Sequence, residues 1–465
     1  DEGAPLTSNT KSSGRFHSNW LNMMYPRLVL ARQLLKEDGV IMVSIDDNEL
    51  QNLRMLMDEV FGEPNFIATV IWQKVFAPKN SARHFSVDHD YVLIYAADAE
   101  TWRPNLLPRS EEADSRYSNP DDDPRGPWAS DNLLARNYYS KGRYEVTSPS
   151  GEKYTPPSGN YWRVSKENFE KLDDEDRIWW GKGGSNMPRL KRFLSEVKDG
   201  VVPQTLWTYE EVGHTQEAKK ELLAHVEFQN TENVLNTVKP TRLIERILHV
   251  STDAESDDIV LDFFAGSAPT AHATLLKNKE DGGNRRYIMV QIPQPLPKPK
   301  DEDVLDTIAD IGKERIRSVG AEIRKENDNV DVGFRCYKLS QSNYRTWDDY
   351  EGTEVGEIES LFDQYETPLV DGWERQDLLS EILLMQGYPL DSDIKELRGF
   401  KRNEVIKATT DLFDSQLFVC LDEDIADDTI NSIDVSTKDS FVCLDSALTD
   451  EAKMRLQDAT NLKVI

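Results

Sequence analysis

The sequence predicts an α/β protein whose helix-covered sheet is interrupted by an inserted mixed domain and followed by an α+β C-terminal domain. Three observations support this fold class. A helix–strand–helix–strand–strand pattern covers residues 18–96, a regular α/β pattern resumes at residue 239, and the residues between scatter Pro, Gly, Asp, Trp and Tyr over short pieces. The predicted regions are 1–98, 99–235, 236–335 and 336–465.

The first region contains five predicted elements. Apolar residues at helical spacing predict a helix over residues 18–37, and the apolar run VIMVSID at 40–46 predicts a buried strand. An amphipathic pattern predicts a helix over 48–62 that ends at a glycine. Two further β-rich runs, at 65–74 and 89–96, predict strands. This order is typical of the second half of an α/β sheet.

The third region resumes the alternation, and the last region adds a separate α+β pattern. A helix is predicted over 239–251, followed by a strand and turn in DIVLDFFAGS, a helix in APTAHATLLKNKE and a strand at 285–293. A further helix is predicted over roughly 304–325. In the C-terminal region, QLFVCLD (416–422) and SFVCLD (440–445) predict two similar buried strands.

Length and composition limit the class of protein. A chain of 465 residues exceeds a single compact domain, so we expect about two to four units. The sequence has no run of about 18 apolar residues and no visible signal peptide, so no membrane partner is expected. Cys336, Cys420 and Cys443 have neither metal-ligand spacing nor a disulfide framework, which fits the reducing cytoplasm. Because the chain starts with Asp, we expect that it begins inside a longer protein.

The charge distribution permits a nucleic-acid partner although the total charge is acidic. The formal net charge is −29, but residues 346–465 hold 29 acidic and 10 basic residues, which leaves only −10 for the first 345. The most basic stretch is 181–198, where Glu196 is the single acid. This stretch fits either a solvated helix face or a contact to the DNA backbone. Its basic residues are Lys182, Arg189, Lys191, Arg192 and Lys198.

The stretch IVLDFFAGSAPTAHA (259–273) is the strongest candidate for a ligand site. An apolar strand runs into Asp262 and a small-residue turn, and the helix that follows begins with unpaired amides. Gly266 is the only glycine of this turn, so the G-x-G-x-x-G pattern that cradles a pyrophosphate is missing. The turn therefore fits either an ordinary strand-to-helix connection or the site of a smaller ligand without phosphate groups.

Other polar residues have both a structural and a functional interpretation. His84 and His89 could serve as metal ligands or as acid–base groups, and the pair Asp46-Asp47 could hold a metal ion. Acidic residues between a strand and a helix more often cap the helix, and His272, on the helix after the turn, is explained by packing. We therefore expect no metal site.

Several stretches together resemble the amino-group DNA methyltransferases. DFFAGSAPTAHA (262–273) resembles their S-adenosylmethionine loop, and NTVKPTRLIERIL (236–248) resembles the Lys-Pro helix that precedes this loop in the permuted β class. That class places its catalytic half first, a target-recognition insert second and the cofactor half third. Residues 20–62, 83–96, 200–222 and 280–293 are similar to the modification subunits of type III restriction–modification systems.

The resemblance implies a Rossmann-like, S-adenosylmethionine-dependent methyltransferase sheet in permuted order. It also implies that adenine N6 in duplex DNA is methylated after base flipping. Gln291 stands where many methyltransferases have an acid that hydrogen-bonds the ribose. Ala268-Pro269 replace the usual Gly-Thr, and Pro269 removes one backbone donor from the start of the helix. The residues that match the cofactor loop are Asp262, Phe263, Phe264, Ala265, Gly266 and Ser267, and those that match the preceding helix start are Thr237, Lys239, Pro240 and Thr241.

The catalytic motif of the family is missing from the sequence. The family holds the flipped base with Asp/Asn-Pro-Pro-Tyr, and no such tetrapeptide occurs in these 465 residues. TPPSG (155–159) is the nearest match, but it has neither the acid nor the aromatic residue in register and is better explained as a turn. In related sequences the motif lies shortly before the segment that matches residues 1–20, so we expect it upstream of Asp1.

The resemblance also implies partners. Double-stranded DNA is the expected substrate, a homodimer is the expected assembly, and a helicase–nuclease restriction subunit is a further partner. The acidic C-terminal domain could dock either that partner or a second copy of the chain. A DNA-recognition and assembly subunit without catalysis is the alternative, while the single glycine disfavours a nicotinamide-dependent dehydrogenase. The predicted DNA contacts are Lys182, Arg189, Lys191, Arg192, Lys74, Lys79 and Arg83.

Overall fold

The structure, a computed structural model, consists of two compact units that divide between Gly333 and Phe334. None of the helices in the described ranges combines the length and the apolar character that a membrane span requires. The described residues are 15–109, 114–197, 200–235, 237–297, 305–327, 329–345 and 368–465.

The first unit alternates helices and strands at both ends and has mostly short strands in the middle. Its helices are α1 (Phe16–Leu34), α2 (Leu50–Phe61), α3 (Lys166–Asp174), α4 (Tyr209–Val212), α5 (Thr215–His225), α6 (Thr241–Ser251), α7 (Pro269–Asp281) and α8 (Ile308–Glu326). Its strands are β1 (Val40–Ile45), β2 (Phe66–Gln73), β3 (His89–Ala96), β4 (Trp128–Asn132), β5 (Leu134–Ala135), β6 (Val146–Thr147), β7 (Lys153–Tyr154), β8 (Tyr161–Trp162), β9 (Ile178–Trp179), β10 (Arg189–Phe193), β11 (Leu206–Trp207), β12 (Ile259–Asp262) and β13 (Arg286–Met289). The helices and strands predicted for the first and third regions are confirmed, with small shifts of their ends.

A four-stranded sheet in the order β1–β3–β2–β11 forms the centre of this unit. Strand β3 is antiparallel to both neighbours, with Ile45 of β1 opposite Tyr91 and Gln73 of β2 opposite His89. Strand β11 runs parallel to β2. The carboxyl ends of β1, β2 and β11 therefore meet the start of β3 at one edge of the sheet, so polar residues at these positions are brought together.

Apolar residues cover both faces of this sheet. Helices α1 and α2 supply Met24, Leu28, Leu53 and Met57 to one core, which they share with Leu93 and Tyr95 of β3. On the other face, Trp72 and Val92 pack with side chains from β11, α4 and α6. The sheet is thus a buried middle layer, as expected for an α/β protein.

The second sheet of the unit consists of β12 and β13, which are parallel, with Asp262 opposite Met289. Helix α7 connects these two strands, and α6 and α8 pack against α7. Salt bridge Lys36–Asp258, at 3.1 Å, joins the residues just before β1 and β12. The residues that precede β1 and β12 are therefore neighbours. Ile45, at the end of β1, and Phe263, just after β12, pack against the same core, so both strands end on the same side of the unit.

The segment between β3 and β11 forms a small domain with an aromatic core. Its strands pair as β4–β10–β9, β5–β8 and β6–β7, and every one of these pairs is antiparallel. Trp162, Phe169, Ile178 and Trp180 are buried together. The TPPSG segment is a turn, as expected, with the amide of Asn160 donating to the carbonyl of Pro157.

The described part of the second unit has a single sheet with helices packed against both of its faces. Its strands are β14 (Asp393–Glu396), β15 (Ile406–Thr410), β16 (Phe413–Cys420), β17 (Ser440–Cys443) and β18 (Asn461–Val464). They form one sheet in this order, and the last three strands are parallel. The two similar runs predicted as buried strands are adjacent, with Cys420 opposite Cys443. The helices are α9 (Arg375–Met385), α10 (Asp427–Ser432) and α11 (Asp450–Ala459).

Candidate functional site

The turn after β12 is organised by the carboxylate of Asp262. Its Oδ1 accepts the amide hydrogen of Phe264 at 3.1 Å, and its Oδ2 accepts the hydroxyl of Thr270 at 2.6 Å. The amide of Gly266 donates to Oε1 of Gln291 at 2.7 Å. Since Gln291 follows β13, these bonds connect the ends of both strands to the first turn of α7.

Two residues of this turn have left-handed backbone conformations. Gly266 has φ 54°, and Ala268 has φ 55°, which costs a residue with a Cβ about 1–2 kcal/mol. A Cβ at Gly266 would have open space, with only the carbonyl of Phe264 nearby, at 3.9 Å. Pro269 begins α7, where its missing amide has no partner to lose. The Ala268-Pro269 pair is therefore compatible with the turn, although Ala268 strains it.

Arg315 of α8 supports the turn from the protein interior. Its side chain is fully buried, and its guanidinium donates to Ser267 Oγ at 3.5 Å, to Thr241 Oγ1 at 3.1 Å and to Glu221 Oε2 at 3.2 Å. It also donates to Nδ1 of His272 at 3.1 Å. One side chain therefore joins the turn to the start of α6, to α5 and to α7.

Burial changes the protonation behaviour of this cluster. Desolvation lowers the pKa of the Arg315 guanidinium to about 10, although Glu221 opposes the change. The pKa of His272 falls to about 3 because the ring is buried and lies next to the charge of Arg315 and the ring of His225. The His272 imidazole is therefore neutral at neutral pH, as its role as an acceptor from Arg315 requires.

The two aromatic residues of the turn point to different environments. Phe263 packs against the core formed by α1, α2 and β3. Phe264 is half exposed, with its ring centroid 5.2 Å from that of Phe263 and 6.0 Å from the guanidinium carbon of Arg27. Phe264 therefore presents an open aromatic ring beside the turn, whereas Phe263 fixes the turn to the core.

Lys239, just before α6, lies at the edge where the strands of the main sheet end. Its ammonium is 3.2 Å from Oδ2 of Asp90 and 4.7 Å from the ring centroid of Trp72. Asp90 also pairs with Lys74 at 2.5 Å. Burial lowers the pKa of Lys239, while Asp90 favours its charged form. The site at this edge therefore contains two ammonium groups that share one largely buried carboxylate.

A second polar group stands beside Asp90 at the start of β3. The hydroxyl of Tyr91 donates to Oδ1 of Asp47 at 2.9 Å and lies 3.0 Å from Nε2 of His89. Asp46 accepts the amide of Asn48 at 3.0 Å and so closes a turn before α2. The capping role predicted for the pair is wrong, because Glu49 occupies the N-cap position and no side chain caps this helix. Within the described ranges, no cluster of three or more His, Cys, Asp or Glu could hold a metal ion.

The structure brings the predicted cofactor residues together, but not in equivalent roles. Arg315 contacts both Thr241 and Ser267, so the Lys-Pro segment and the Asp262 turn are adjacent. The side chains of Thr241 and Ser267 are buried and accept hydrogen bonds from Arg315. Ala265 and Pro240 are buried too, whereas Thr237 is exposed.

The basic stretch 181–198 is not a helix, because residues Arg189–Phe193 form strand β10. Lys191 was predicted to contact DNA, but its side chain is 1% exposed and its ammonium pairs with Asp121 at 2.6 Å, Asp123 at 3.1 Å and Asp176 at 3.2 Å. The prediction is wrong for Lys191, since its ammonium is enclosed by carboxylates.

The other predicted DNA contacts lie at the surface or at the edge of the main sheet. Lys182, Arg189 and Arg192 are exposed, as are Lys79 and Arg83. Arg192 pairs with Asp131 at 3.1 Å, and Arg189 donates to the carbonyl of Ser130 at 3.2 Å. Lys74 pairs with Asp90 and therefore belongs to the polar group at the strand ends. Lys198 lies outside the described residues.

Four residues of this site were not predicted from the sequence. They are Asp90, Glu221, Thr270 and Arg315. For Arg315 a signal was present, because it occupies an inward position between Ile311, Ile316 and Val319 on the apolar face of α8. An arginine in such a position needs buried partners. Which partners it has depends on the packing of α5, α6 and α7, and local patterns do not contain that information.

Comparisons with known proteins agree on one kind of relative. A family model for DNA methylases (N6_N4_Mtase) matches residues 7–327. The type III restriction–modification enzyme StyLTI Mod subunit of Salmonella typhimurium is 32% identical over 408 residues, covering 82% of this chain and 60% of that protein. The EcoP15I Mod subunit of Escherichia coli is 28% identical over 390 residues, covering 76% and 58%.

A type II enzyme is similar as well. The type II methyltransferase M.KpnI of Klebsiella pneumoniae is 29% identical over 302 residues, covering 61% of this chain and 69% of that enzyme. The chain spans 60% and 58% of the lengths of the StyLTI and EcoP15I subunits. These matches therefore concern the larger part of this chain but little more than half of each modification subunit.

Proposed function

Since the chain belongs to the DNA methylase family, we propose that it is the cofactor- and DNA-binding part of a site-specific DNA methyltransferase. The reaction would move a methyl group from S-adenosylmethionine to adenine N6 in duplex DNA, as part of a type III restriction–modification system. The observation that carries the proposal is the hydrogen-bonded turn that joins Asp262, Gly266, Thr270 and Gln291. The names of the StyLTI and EcoP15I Mod subunits support the type III assignment.

The residues at the turn fit S-adenosylmethionine. This ligand has no phosphate groups, so it does not need a glycine-rich pyrophosphate cradle. It does need an aromatic or apolar surface for its adenine, hydrogen-bonding groups for its ribose and charged groups for its amino acid part. Phe264 offers a half-exposed ring, Gln291 has a second amide hydrogen and a further acceptor lone pair, and Lys239 is a nearby cation.

We assign supporting roles to the buried members of the set. Ser267 and Thr241 hold the turn and the start of α6 on Arg315, and Phe263 and Ala265 pack the turn against the protein. Gly266 adopts its positive φ without the strain that a Cβ would add. The groups that would touch the ligand are then Phe264, the open backbone at Gly266, Gln291 and Lys239, with Thr237 at the margin.

Bound S-adenosylmethionine would supply an activated methyl group, and the chain's own contribution would be positioning. Chemistry on a paired adenine requires that the base leave the stack, which costs a few kcal/mol. The polar group of Asp90, Lys74 and Lys239 lies where the sheet strands end, beside the proposed cofactor residues. A rigid placement of the methyl donor and the base would account for most of the rate acceleration, and the reaction would need no metal ion.

We propose that the base-holding Asp/Asn-Pro-Pro-Tyr motif is supplied by residues upstream of Asp1. The motif is absent from these 465 residues. Two strand edges support the proposal: among the described strands, β1 pairs only with β3, and β12 pairs only with β13. The Lys36–Asp258 salt bridge holds the starts of β1 and β12 near each other. A strand that carries the motif would therefore have backbone partners beside the proposed cofactor residues.

We also propose roles for the regions and for an assembly. Residues 1–98 and 236–335 would form the two halves of the methyltransferase sheet in permuted order. Of the predicted insert 99–235, the part before β11 would recognise the target, since β11 pairs with β2 of the main sheet. The acidic region 336–465 would serve a homodimer or a helicase–nuclease partner. Light scattering of the purified protein tests the dimer, since a monomer at micromolar concentration would contradict it.

The alternative is a recognition and assembly subunit without catalysis of its own. Both functions are tested by incubating plasmid DNA with S-adenosylmethionine and measuring methylated bases by mass spectrometry. We expect N6-methyladenine with a protein that carries the upstream motif, and none with the 465-residue chain. N4-methylcytosine would contradict the adenine assignment. No product from the motif-carrying protein would favour the alternative, and methylation by the 465-residue chain alone would contradict the upstream motif.

A further inference from the structure

One loop of the insert presents basic and aromatic side chains to solvent. Residues 136–143, here called the tyrosine loop, follow β5 and read RNYYSKGR. Every residue of the loop except Gly142 is exposed. No acidic residue occurs from Leu133 to Tyr144, in a chain that has 84 acidic and 55 basic residues. This local excess of positive charge runs against the composition of the whole protein.

The tyrosine loop is fixed to the core of the insert. The amide of Gly142 donates to the carbonyl of Tyr139 at 2.9 Å, and the amide of the fully buried Trp162 donates to the carbonyl of Gly142 at 2.7 Å. A Cβ at Gly142 would lie 2.5 Å from the carbonyl oxygen of Trp162, so only glycine fits this approach. A loop held in this way loses little conformational freedom when it binds a ligand.

An aromatic and cationic group stands at the exposed end of the loop. Tyr138 is 78% exposed and meets the ring of Tyr161 edge-on, with centroids 5.4 Å apart. The guanidinium carbon of Arg143 is 5.5 Å from the centroid of the same Tyr161 ring. Tyr161 therefore contacts both Tyr138 and Arg143, and both side chains remain open to solvent.

The neighbouring surface continues the positive charge. Arg163 donates to the carbonyl of Asn132 at 2.9 Å and lies 3.4 Å from Asp131, which also pairs with Arg192. Arg189 stands opposite Asn132 in the β4–β10 pair. The carboxylate of Asp131 therefore pairs with two arginines, which leaves a net positive charge beside the strand that leads into the tyrosine loop. The loop extends this basic surface.

We infer that the tyrosine loop is a duplex-DNA contact of the insert. Arg136, Lys141 and Arg143 would contact backbone phosphates, and Tyr138 would contact a sugar or a base. Neither Arg136 nor Lys141 forms an ion pair with any other described residue, so phosphates would not have to displace a protein carboxylate. The inference rests on the proposed function, because it names the surface with which a DNA methylase of this kind would hold its substrate.

The salt dependence of DNA binding tests the role of the charges. The variant would carry Arg136→Gln, Lys141→Gln and Arg143→Gln, and the affinity for a labelled duplex would be measured by fluorescence anisotropy over a range of salt concentrations. Each lost phosphate contact reduces the slope of log K against log salt by about 0.9, so the three changes should reduce it by about 2 to 3. Binding of S-adenosylhomocysteine should not change.

A matched control removes the same charge elsewhere. Lys395, Lys401 and Arg402 are exposed residues of the second unit, and their replacement by Gln should leave the slope unchanged. If the loop variant keeps the wild-type slope while wild type binds DNA, the loop inference is wrong and the proposed function stands. If wild type shows no salt-dependent duplex binding, both are wrong. Preference for single strands over duplex would contradict the duplex assignment.

Two further variants separate charge from geometry. Tyr138→Ala should weaken duplex binding but keep the salt slope, because it removes a contact without removing a charge. Gly142→Ala should weaken it as well, since the methyl group forces the loop away from Trp162. Thermal unfolding checks that each variant is folded. Wild-type affinity in both folded variants would contradict a pre-organised contact.

Discussion

The amide of Gly266 donates a 2.7 Å hydrogen bond to Oε1 of Gln291, and this bond connects the turn after β12 to the end of β13. The side-chain nitrogen Nε2 of Gln291 also donates to the carbonyl of Ile292 at 3.0 Å, so both polar atoms of the side chain have hydrogen-bond partners. Gln291 therefore shapes the turn in addition to any contact with the ribose, and an acid at this position could accept the same bond.

Replacing Gln291 tests this shaping role. Gln291→Leu leaves the Gly266 amide without its acceptor, which costs about 1–3 kcal/mol, and should weaken S-adenosylmethionine binding by about tenfold or more. Gln291→Glu keeps an acceptor and should stay within a few-fold of wild type. Isothermal titration measures both. Equal affinity of the Leu variant and wild type would show that the bond does not support the site.

The His272 cluster should make stability depend on pH. The pKa of His272 is about 3 in the folded protein, against about 6.5 in an unfolded chain, so the unfolded state binds more protons between these values. The free energy of unfolding should therefore fall as the pH drops below about 6.5, by up to about 1.4 kcal/mol per unit from this group. Burial, the neighbouring charge of Arg315 and the neighbouring His225 keep the ring neutral.

Comparison with His272→Gln isolates this contribution. The glutamine can still accept a hydrogen bond from Arg315 but does not titrate. Denaturant unfolding at several pH values from 7 to 4 should give a shallower decline for the variant. Parallel declines in the two proteins would mean that His272 is protonated as easily in the folded state as in the unfolded state.

Gly312 of α8 sets how closely this helix approaches the turn. A Cβ at Gly312 would lie 3.3 Å from Cβ of Ala268 and 3.4 Å from the carbonyl oxygen of Gly266. Gly312→Val should push the turn outward and weaken S-adenosylmethionine binding by about tenfold. Gly320→Val is the matched control: Gly320 is on the same helix, and a Cβ there would lie 3.3 Å from Val332, away from the turn. Similar affinities of the two variants would contradict the role of Gly312.

Lys191 and Arg192 are neighbours in sequence but should behave differently when replaced. Lys191→Met would leave the fully buried Asp123 with Arg125 alone and should destabilise the insert by about 3 kcal/mol. Arg192→Met breaks an exposed pair and should cost less than about 1 kcal/mol. Thermal unfolding followed by tryptophan fluorescence distinguishes them. A folded Lys191 variant with wild-type stability but weaker DNA binding would restore the original prediction for Lys191.

The sequence was sufficient to predict the elements around the site because each has a strong local pattern. These patterns are local, since each can be recognised within a short stretch of sequence. They are the alternation of helices and strands, the apolar run before Asp262 and the proline at the start of the Lys-Pro helix. The family resemblance then assigned the Asp262 turn to a methyl donor. The hydrogen bonds of Asp262 and Gln291 are consistent with that assignment.

The partners of charged residues could not be predicted in the same way. Lys191 and Arg192 are equally basic in the sequence, yet three acids from two other segments enclose Lys191. Arg315 and Glu221 are 94 residues apart and meet only because α5 and α8 pack together. The sequence does not predict the tyrosine loop, because the paired strands that support it, β5 and β8, have two residues each and therefore no periodic pattern. Long-range packing decides these cases.

Titration of the 465-residue chain with S-adenosylmethionine tests the central claim most directly. The wild-type chain should bind it, and NAD should give no heat. Asp262→Ala should abolish binding, because the amide of Phe264 and the hydroxyl of Thr270 lose their acceptor, whereas Asp427→Ala, at an exposed position of the second unit, should bind as wild type does. No binding by the wild-type chain, or undiminished binding by Asp262→Ala, would contradict the assignment of this turn as the cofactor site.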